Sequence, residues 1–435
     1  MTKQYRNITL IAMLGMFILV SCSSRLAPTE QKATASNSES ALNKPYVILI
    51  SLDGFRWDYV NKYRPPNFIE FISKGVEAEA LIPSYPSKTF PNHYTIATGM
   101  YPDNHGIIGN IFYNYDKQVT YNIRNRKMAE DGNFYGGSPI WIEANKAAMV
   151  TASYFFVGTE ANIQGITPTY YYKYDGSVKN KDRIAQAVQW LKMPAKKRPH
   201  LITMYFSDMD DVGHSVGPSN EEQIKNKLLA LDKNLGDLFK GVAATGLPVN
   251  ILIVSDHGMA DQSIENLIPI DDIQNDSLFS TINNGSIVNI HPKETRDTND
   301  LFEDLKRKEQ HFKVYKTEDT PGFEKTPTNK DWGPIQLVPD LGYYFSTKKS
   351  IAEKIEKNIT TIGVHGFDTT YKDMHGIFYA KGPAFKNNYE IPAVKNIHIY
   401  PLMCKLLGLD IPEGIDGDLE QIKSVLTPFF NKEQD

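Results

Sequence analysis

The sequence predicts an α/β protein: a mostly parallel central sheet with helices on both faces, plus a smaller inserted cap or subdomain. Three observations carry this. The runs Tyr46–Leu52, Leu201–Phe206 and Asn250–Ser255 are short, apolar and rich in β-branched residues, as strands buried on both faces of a parallel sheet are. Helical patterns follow them; after the second run Ile224, Leu228, Leu231, Leu235 and Leu238 recur at spacings of four and three, one face of a helix. The roughly 390 residues beyond the N-terminal region are enough to bury one large core, as a single domain or a domain with an insertion.

At the N-terminus Lys3 and Arg6 flank a 13-residue apolar run, Ile8–Val20. It is short for a membrane span and fits the apolar core of an export signal. Leu19-Val20-Ser21-Cys22 resembles the lipobox of bacterial lipoproteins. That implies removal of residues 1–21, lipid on the Cys22 sulfur, and an exported protein anchored to a bacterial membrane on its periplasmic or cell-surface side. A plain signal peptide or N-terminal anchor with an incidental Cys22 is the alternative. Residues 22–43 are rich in Ser, Thr, Ala and Asn and read as a flexible tether. Residues 44–430 then form the folded domain, with the insertion expected within 260–360.

Without Lys3 and Arg6 the chain holds 45 basic and 51 acidic residues, a formal charge of −6. With no long basic run, duplex nucleic acid is excluded as an expected partner. There are two cysteines. If Cys22 is acylated, Cys404 has no partner for an intramolecular disulfide. Cys404 lies in the apolar helical pattern Tyr400–Leu407 and is expected in the core.

Each of the three central runs ends in an acid: Asp53, Asp210 or Asp211, and Asp256. The carboxyl ends of strands in an open α/β sheet form its ligand-binding edge. Three carboxylates there repel one another and favour a cation between them. Histidines accompany them. His214 follows Asp210 by four residues, His257 adjoins Asp256, and His365 precedes a fourth candidate strand, Gly376–Ala380. Three carboxylates and three imidazoles suit two Zn²⁺ ions, with Mn²⁺ or another divalent ion as the alternative. Any one of them alone reads equally well as a helix cap or a structural histidine; the set is harder to obtain by chance. His93, His105, His200, His291, His311, His375 and His398 are expected to be structural or exposed.

The nucleophile candidate is Thr89, in the proline-stiffened stretch Pro83–Tyr94. Helix-compatible sequence follows, so Thr89 is expected at or just before a helix N-terminus, where free N–H groups attract phosphate. An ordinary N-cap threonine is the competing reading. Two metals roughly 3.5–4 Å apart would form a clamp for in-line displacement at phosphorus. Asn110, after Gly109, is a candidate donor to a phosphoryl oxygen, or a turn residue.

Several strings resemble the nucleotide pyrophosphatase/phosphodiesterase family of the alkaline phosphatase superfamily. They are Asp53-Gly54-Phe55-Arg56, Lys88-Thr89-Phe90-Pro91-Asn92-His93-Tyr94, Thr98-Gly99-Met100-Tyr101-Pro102, His105–Asn110, Asp210–His214 with Gly217-Pro218, Ser255–Met259 and His365–Asp368. The likeness runs from Tyr46 to Leu407 and is weakest between Ala260 and Gly363. It implies an alkaline-phosphatase-like fold and a phosphothreonine ester on Thr89. One zinc would lie among Asp53, Thr89, Asp256 and His257, and the other would be held by Asp210, His214 and His365. This selects Asp210 over Asp211. Asn110 aligns with the phosphate-contacting asparagine, and Phe90, Tyr174 and Tyr205 match aromatic base-pocket positions, which suit a stacked nucleobase.

The implied reaction is hydrolysis of nucleotide phosphodiester or pyrophosphate bonds to nucleoside 5′-monophosphates. A phospholipid or choline-phosphate diesterase, or a phosphomonoesterase, would use the same core. A non-catalytic surface binding protein is the reading from another class; the intact set of ligand and nucleophile positions disfavours it. One departure stands out. Nucleotide-cleaving relatives commonly carry Trp-Pro-Gly after a Phe-Phe or similar pair; this chain has Phe155-Phe156-Val157-Gly158-Thr159-Glu160, so one wall of the base slot lacks a tryptophan. Tyr170, Tyr171 and Tyr172 are candidates to compensate.

Overall fold

Along β1 (Tyr46–Leu52) the side chains divide between two cores: Val47 and Leu49 join one, and Ile48, Ile50 and Leu52 the other. The two-residue period of a strand produces this division, and it explains why the run is apolar without alternation. The computed structural model describes residues 29–30, 36–294 and 296–431. The leader, Cys22 and much of the tether lie outside them.

The other strands of the central sheet are β2 (Val76–Ala78), β3 (Thr151–Tyr154), β4 (Tyr170–Tyr172), β5 (Leu201–Phe206), β6 (Val249–Val254), β7 (Phe378–Lys381) and β8 (Tyr389–Ile391). The sheet runs β4-β3-β5-β1-β6-β7-β2-β8, with a short edge strand, Thr29–Glu30, beyond β4. From β4 to β6 all neighbours are parallel. β7 runs antiparallel to both β6 and β2. One face is covered by α1 (Pro66–Ser73), α3 (Asn180–Leu191) and α5 (Glu221–Ala243), the other by α2 (Thr89–Thr98) and α6 (Ile399–Leu407). Cys404 is buried in α6.

Two local expectations change. A helix follows β5, namely α4 (Asp208–Val216), but none follows β6. There the chain turns through Asp256–Met259 and enters a strand, Ala260–Ser263, antiparallel to Thr361–Val364. That pairing carries His365 to the site. Tyr170, Tyr171 and Tyr172 are buried in β4. Tyr170 and Tyr172 join the core under α3 and α5, Tyr172 stacking on Tyr154 at 4.4 Å, and none of the three lines the cleft described below.

Within residues 260–360 a separate antiparallel sheet forms from Phe279–Asn283, Val288–Pro292, Ile335–Pro339 and Phe312–Lys316. With the helix Thr298–Lys306 it encloses its own apolar core, including Phe279, Ile290, Leu301 and Leu337. Among the described residues no helix is long and apolar enough to cross a membrane.

Candidate active site

Thr89 is the first residue of α2. Lys88 occupies the N-cap position, and the helix has no side-chain cap. The Thr89 hydroxyl therefore does not serve the helix. Its Oγ1 lies 3.3 Å from His257 Nε2 and borders a cleft of about 550 Å³ at the carboxyl edge of the sheet. The next backbone N–H, of Phe90, is taken by Asn110 Oδ1 at 3.0 Å. An N–H needs an oxygen acceptor, so the amide nitrogen of Asn110 is the end left for a ligand.

Asp53 directly follows β1, Asp256 follows β6 by two residues, and Asp210 and His214 stand one turn apart on α4. Gly54 lets the turn after β1 approach α4 closely. Its φ is +63°, and a Cβ there would stand 2.8 Å from Asp210 Cα. The three imidazoles share one arrangement. His214 Nδ1 contacts Gly363 O, His257 Nδ1 contacts Gly258 O and His365 Nδ1 contacts Ser87 O, each at 2.8 Å. A carbonyl only accepts, so each Nδ1 carries the ring proton and each Nε2 presents a lone pair. Backbone acceptors commonly orient metal-ligating histidines in this way.

Those lone pairs face carboxylate oxygens. His214 Nε2 is 3.3 Å from Asp210 Oδ1, and His257 Nε2 is 3.4 Å from Asp53 Oδ1 and 3.1 Å from Asp256 Oδ2. The same three oxygens are buried without a hydrogen-bond donor. Lone pairs facing lone pairs in a buried site are stable only with a proton or a metal cation between them. Burial first, and Asp256 second, hold the Asp53 carboxyl well above the usual carboxylate range. Burial and then Asp53 do the same to Asp210. Burial pushes Asp256 up to about 7 and holds His257 and His365 well below the usual imidazole range. The N/O donor set is that of a divalent-cation centre.

His93, expected to be structural or exposed, is buried and also reaches the cluster. It is grouped in space with Asp53 and Asp256, as His257 and His365 are with Asp210. Both of its nitrogens are occupied, however. Nδ1 donates to Thr89 O at 2.9 Å, with Asp256 Oδ2 at 3.3 Å, and Nε2 accepts from the Ser51 hydroxyl at 2.8 Å. A protonated Nδ1 and a filled Nε2 leave no lone pair for a metal. His93 therefore acts as a buttress, joining the first turn of α2 to Asp256. The i, i+4 spacing from Thr89 was the sequence signal for it.

Residues 47–368 match the type I phosphodiesterase / nucleotide pyrophosphatase family. The chain belongs to this family. It is 33% identical over 410 residues to mouse ectonucleotide pyrophosphatase/phosphodiesterase family member 1, covering 90% of this chain and 44% of the mouse protein. It thus spans less than half the length of that relative. It is 31% identical over 386 residues to a bis(5′-adenosyl)-triphosphatase of Xenopus laevis, covering 88% of this chain and 82% of the frog protein. Among solved structures it matches murine family member 5 with a TM-score of 0.81 and 30% identity, over 88% of this chain and 100% of that one; that structure is an inactive threonine-to-alanine variant in complex with AMP. The fold is accordingly alkaline-phosphatase-like.

In this family member the cleft walls are aromatic. Tyr174 is 42% exposed and meets Phe155 and Tyr205 edge-on, at 5.3 and 6.1 Å. Phe90 and Ile123 also line the cleft, and Val157 and Gly158 stand in the stretch without tryptophan. Tyr205 has a second task, since its hydroxyl donates to Asp53 Oδ2 at 2.6 Å. Glu160 accepts the Tyr174 backbone N–H at 2.9 Å and pairs with Arg126. Nothing in the local sequence patterns marks Ile123 or Arg126 as cleft residues, while Phe155 lies in the string that departs at the base slot. Asp53, Thr89, Phe90, Asn110, Tyr174, Tyr205, Asp210, His214 and His365 all border the cleft, with Asp256 and His257 buried behind them.

Proposed function

We propose that this protein is a metal-dependent phosphodiesterase / nucleotide pyrophosphatase that releases nucleoside 5′-monophosphates, with Thr89 as nucleophile. The observation that carries this is the Thr89 hydroxyl: exempt from helix capping, 3.3 Å from His257 Nε2, at the foot of an aromatic cleft. Two zinc ions are the reading for the centre. Asp53, Thr89, Asp256 and His257 would hold one, and Asp210, His214 and His365 the other. Bound there, they supply Lewis-acid stabilisation of oxygen charge at phosphorus.

The chain's own residues do the rest. The Thr89 oxygen bonds to phosphorus as the bond to the leaving oxygen breaks, its proton passing through solvent to that departing oxygen, giving a phosphothreonine ester. Water then displaces Thr89, releasing the monophosphate and restoring the hydroxyl. Asn110 donates to a phosphoryl oxygen as charge develops. Phe90 and Tyr174 hold the base between them, with Tyr205 beside Tyr174. The AMP bound to the murine relative and the dinucleotide substrate in the frog relative's name support a nucleotide substrate. Export and lipid anchoring through Cys22 complete the proposal, resting on the N-terminal sequence.

The test is steady-state turnover of residues 23–435 with zinc supplied. The substrates are p-nitrophenyl thymidine 5′-monophosphate, p-nitrophenyl phosphate and p-nitrophenyl phosphorylcholine, each with and without chelator. A chelator-sensitive kcat/KM preference for the thymidine diester is expected. A preference for either of the others would replace the substrate class and leave the threonine chemistry in place.

A further inference from the structure

Asn110 stands at the start of a hairpin, Ile111–Asn114 with Val119–Asn122, that forms a two-stranded sheet separate from the central one. Such a hairpin is marginal unless something else holds it. Here two things hold it: Phe112 and Tyr121 pack into the main core, and the inserted sheet grips its first strand. In the turn between Phe279–Asn283 and Val288–Pro292, the Asn284 side chain pairs with both backbone groups of Ile111. Oδ1 accepts the Ile111 N–H at 3.2 Å, and Nδ2 donates to the Ile111 carbonyl at 2.9 Å. A side-chain amide thus does what a neighbouring strand would do. Gly109 leaves the room, because a Cβ there would stand 3.3 Å from Asn284 Nδ2 and 2.9 Å from Ile111 O.

The contacts close into a ring around Thr89. Ile111 adjoins Asn110, whose Oδ1 accepts the Phe90 N–H at 3.0 Å. Phe90 adjoins Thr89, and Thr89 adjoins Lys88. The buried Lys88 Nζ donates to Tyr344 Oη at 2.9 Å. Tyr344 Oη donates to the Asn284 carbonyl at 3.2 Å, which returns to the starting residue. Lys88 Nζ also donates to His365 O at 2.7 Å, so the ring touches the far side of the cluster.

We propose that the inserted sheet is a positioning element for the reaction: Asn284, with Tyr344 and Lys88 closing the ring, sets where Asn110 stands relative to Thr89. This rests on the proposed role of Asn110 at the phosphoryl group. Misplacement of a reacting or stabilising group by about 1 Å can cost on the order of a hundredfold in rate. A contact that merely glued the insertion to the domain would affect stability and leave the chemical step alone.

The experiment is a double-mutant cycle in the zinc-loaded protein, read with p-nitrophenyl thymidine 5′-monophosphate. Asn284→Ala is expected to lower kcat about tenfold, with KM within about twofold and bound metal unchanged. In the Asn110→Ala background the same substitution is expected to cost nothing further. Tyr344→Phe, which removes one hydroxyl from the ring, is expected to show a smaller loss that also vanishes in that background. A wild-type kcat for Asn284→Ala, or losses that multiply in full with Asn110→Ala, would overturn the proposal. Should Asn284→Ala not fold, Asn284→Asp enters the same cycle under the same criteria, since it keeps the acceptor for the Ile111 N–H and removes the donor. An Asn110→Ala variant that turns over like wild type would instead defeat the reading of Asn110, an outcome distinct from the failure of Asn284 alone.

Discussion

The imidazole rings of His257 and His365 stack with centroids 3.6 Å apart and planes 14° from parallel. Two buried rings hold that contact only as neutral species, because two imidazolium charges so close would repel strongly. Both Nδ1 protons are committed to backbone carbonyls, so both Nε2 lone pairs are available well below neutral pH. The acid partner limits cation binding instead. Asp256, pushed up to about 7 by burial, keeps a proton that the unfolded chain has released from its ordinary value of 3.8 upward. This group therefore costs the metal-free protein stability as pH rises toward 7, and a cation that displaces the proton restores it. Zinc is expected to raise Tm most above about pH 7.5 and progressively less toward pH 5. A Tm shift that stays constant across that range would contradict this account.

Thr89→Ala is expected to abolish turnover by at least about a thousandfold while leaving Tm nearly unchanged. The lost hydroxyl makes one side-chain contact, to His257, and caps nothing. Acid quenching of wild type during turnover of a labelled dinucleotide should trap label on the protein, and the variant should trap none. Equal label on both would place the nucleophile elsewhere.

Tyr205→Phe keeps the aromatic wall and removes the 2.6 Å hydrogen bond to Asp53 Oδ2. Losing a partner that orients a ligand typically costs about 10–100-fold in metal affinity. Chelator competition should show a loss of that size, with KM for the thymidine diester altered far less once zinc is saturating. A large KM effect with intact zinc affinity would make Tyr205 a base-wall residue first.

The legible part of this site was the part written locally. Asp53 and Asp256 stand out because the strands before them are buried on both faces, which produces continuous apolar runs. His214 stands out because one helical turn separates it from Asp210. His93 was less visible because its meaning depends on Asp256, which reaches it only through the sheet. The turn after β6 was misread because the strand that replaces a helix there, Ala260–Ser263, exists by pairing with Thr361–Val364, a partner about a hundred residues away with an equally faint pattern. Asn284 was invisible for a similar reason. It looks like any turn asparagine, and its function is to pair with a backbone far along the chain.

Gly54→Ala tests the close approach of β1 to α4. The new Cβ would stand 2.8 Å from Asp210 Cα, on a residue whose φ is +63°. Overpacking against backbone costs about 1–3 kcal/mol, and the positive φ adds strain for a residue with a Cβ. Denaturant unfolding should show a loss of at least that size, and zinc stoichiometry should fall because Asp53 and Asp210 are forced apart. Normal stability with full zinc content would mean that the two segments can separate without disturbing the centre.

Tyr174→Ala addresses the base slot. Stacking on an aromatic ring is worth about 1–3 kcal/mol per base, or roughly 5- to 150-fold in binding. The slot lacks a tryptophan; Val157 and Gly158 stand in that stretch, and neither offers a ring. Tyr174 is therefore expected to carry more of the stacking than it would beside a second aromatic wall, and its loss should raise KM for p-nitrophenyl thymidine 5′-monophosphate by about tenfold or more. Methyl p-nitrophenyl phosphate, which has no base to stack, should be nearly indifferent. Equal losses on both substrates would mean that Tyr174 acts through Tyr205, 6.1 Å away, on the Asp53 carboxylate, and that base recognition lies on the Phe90 side of the cleft.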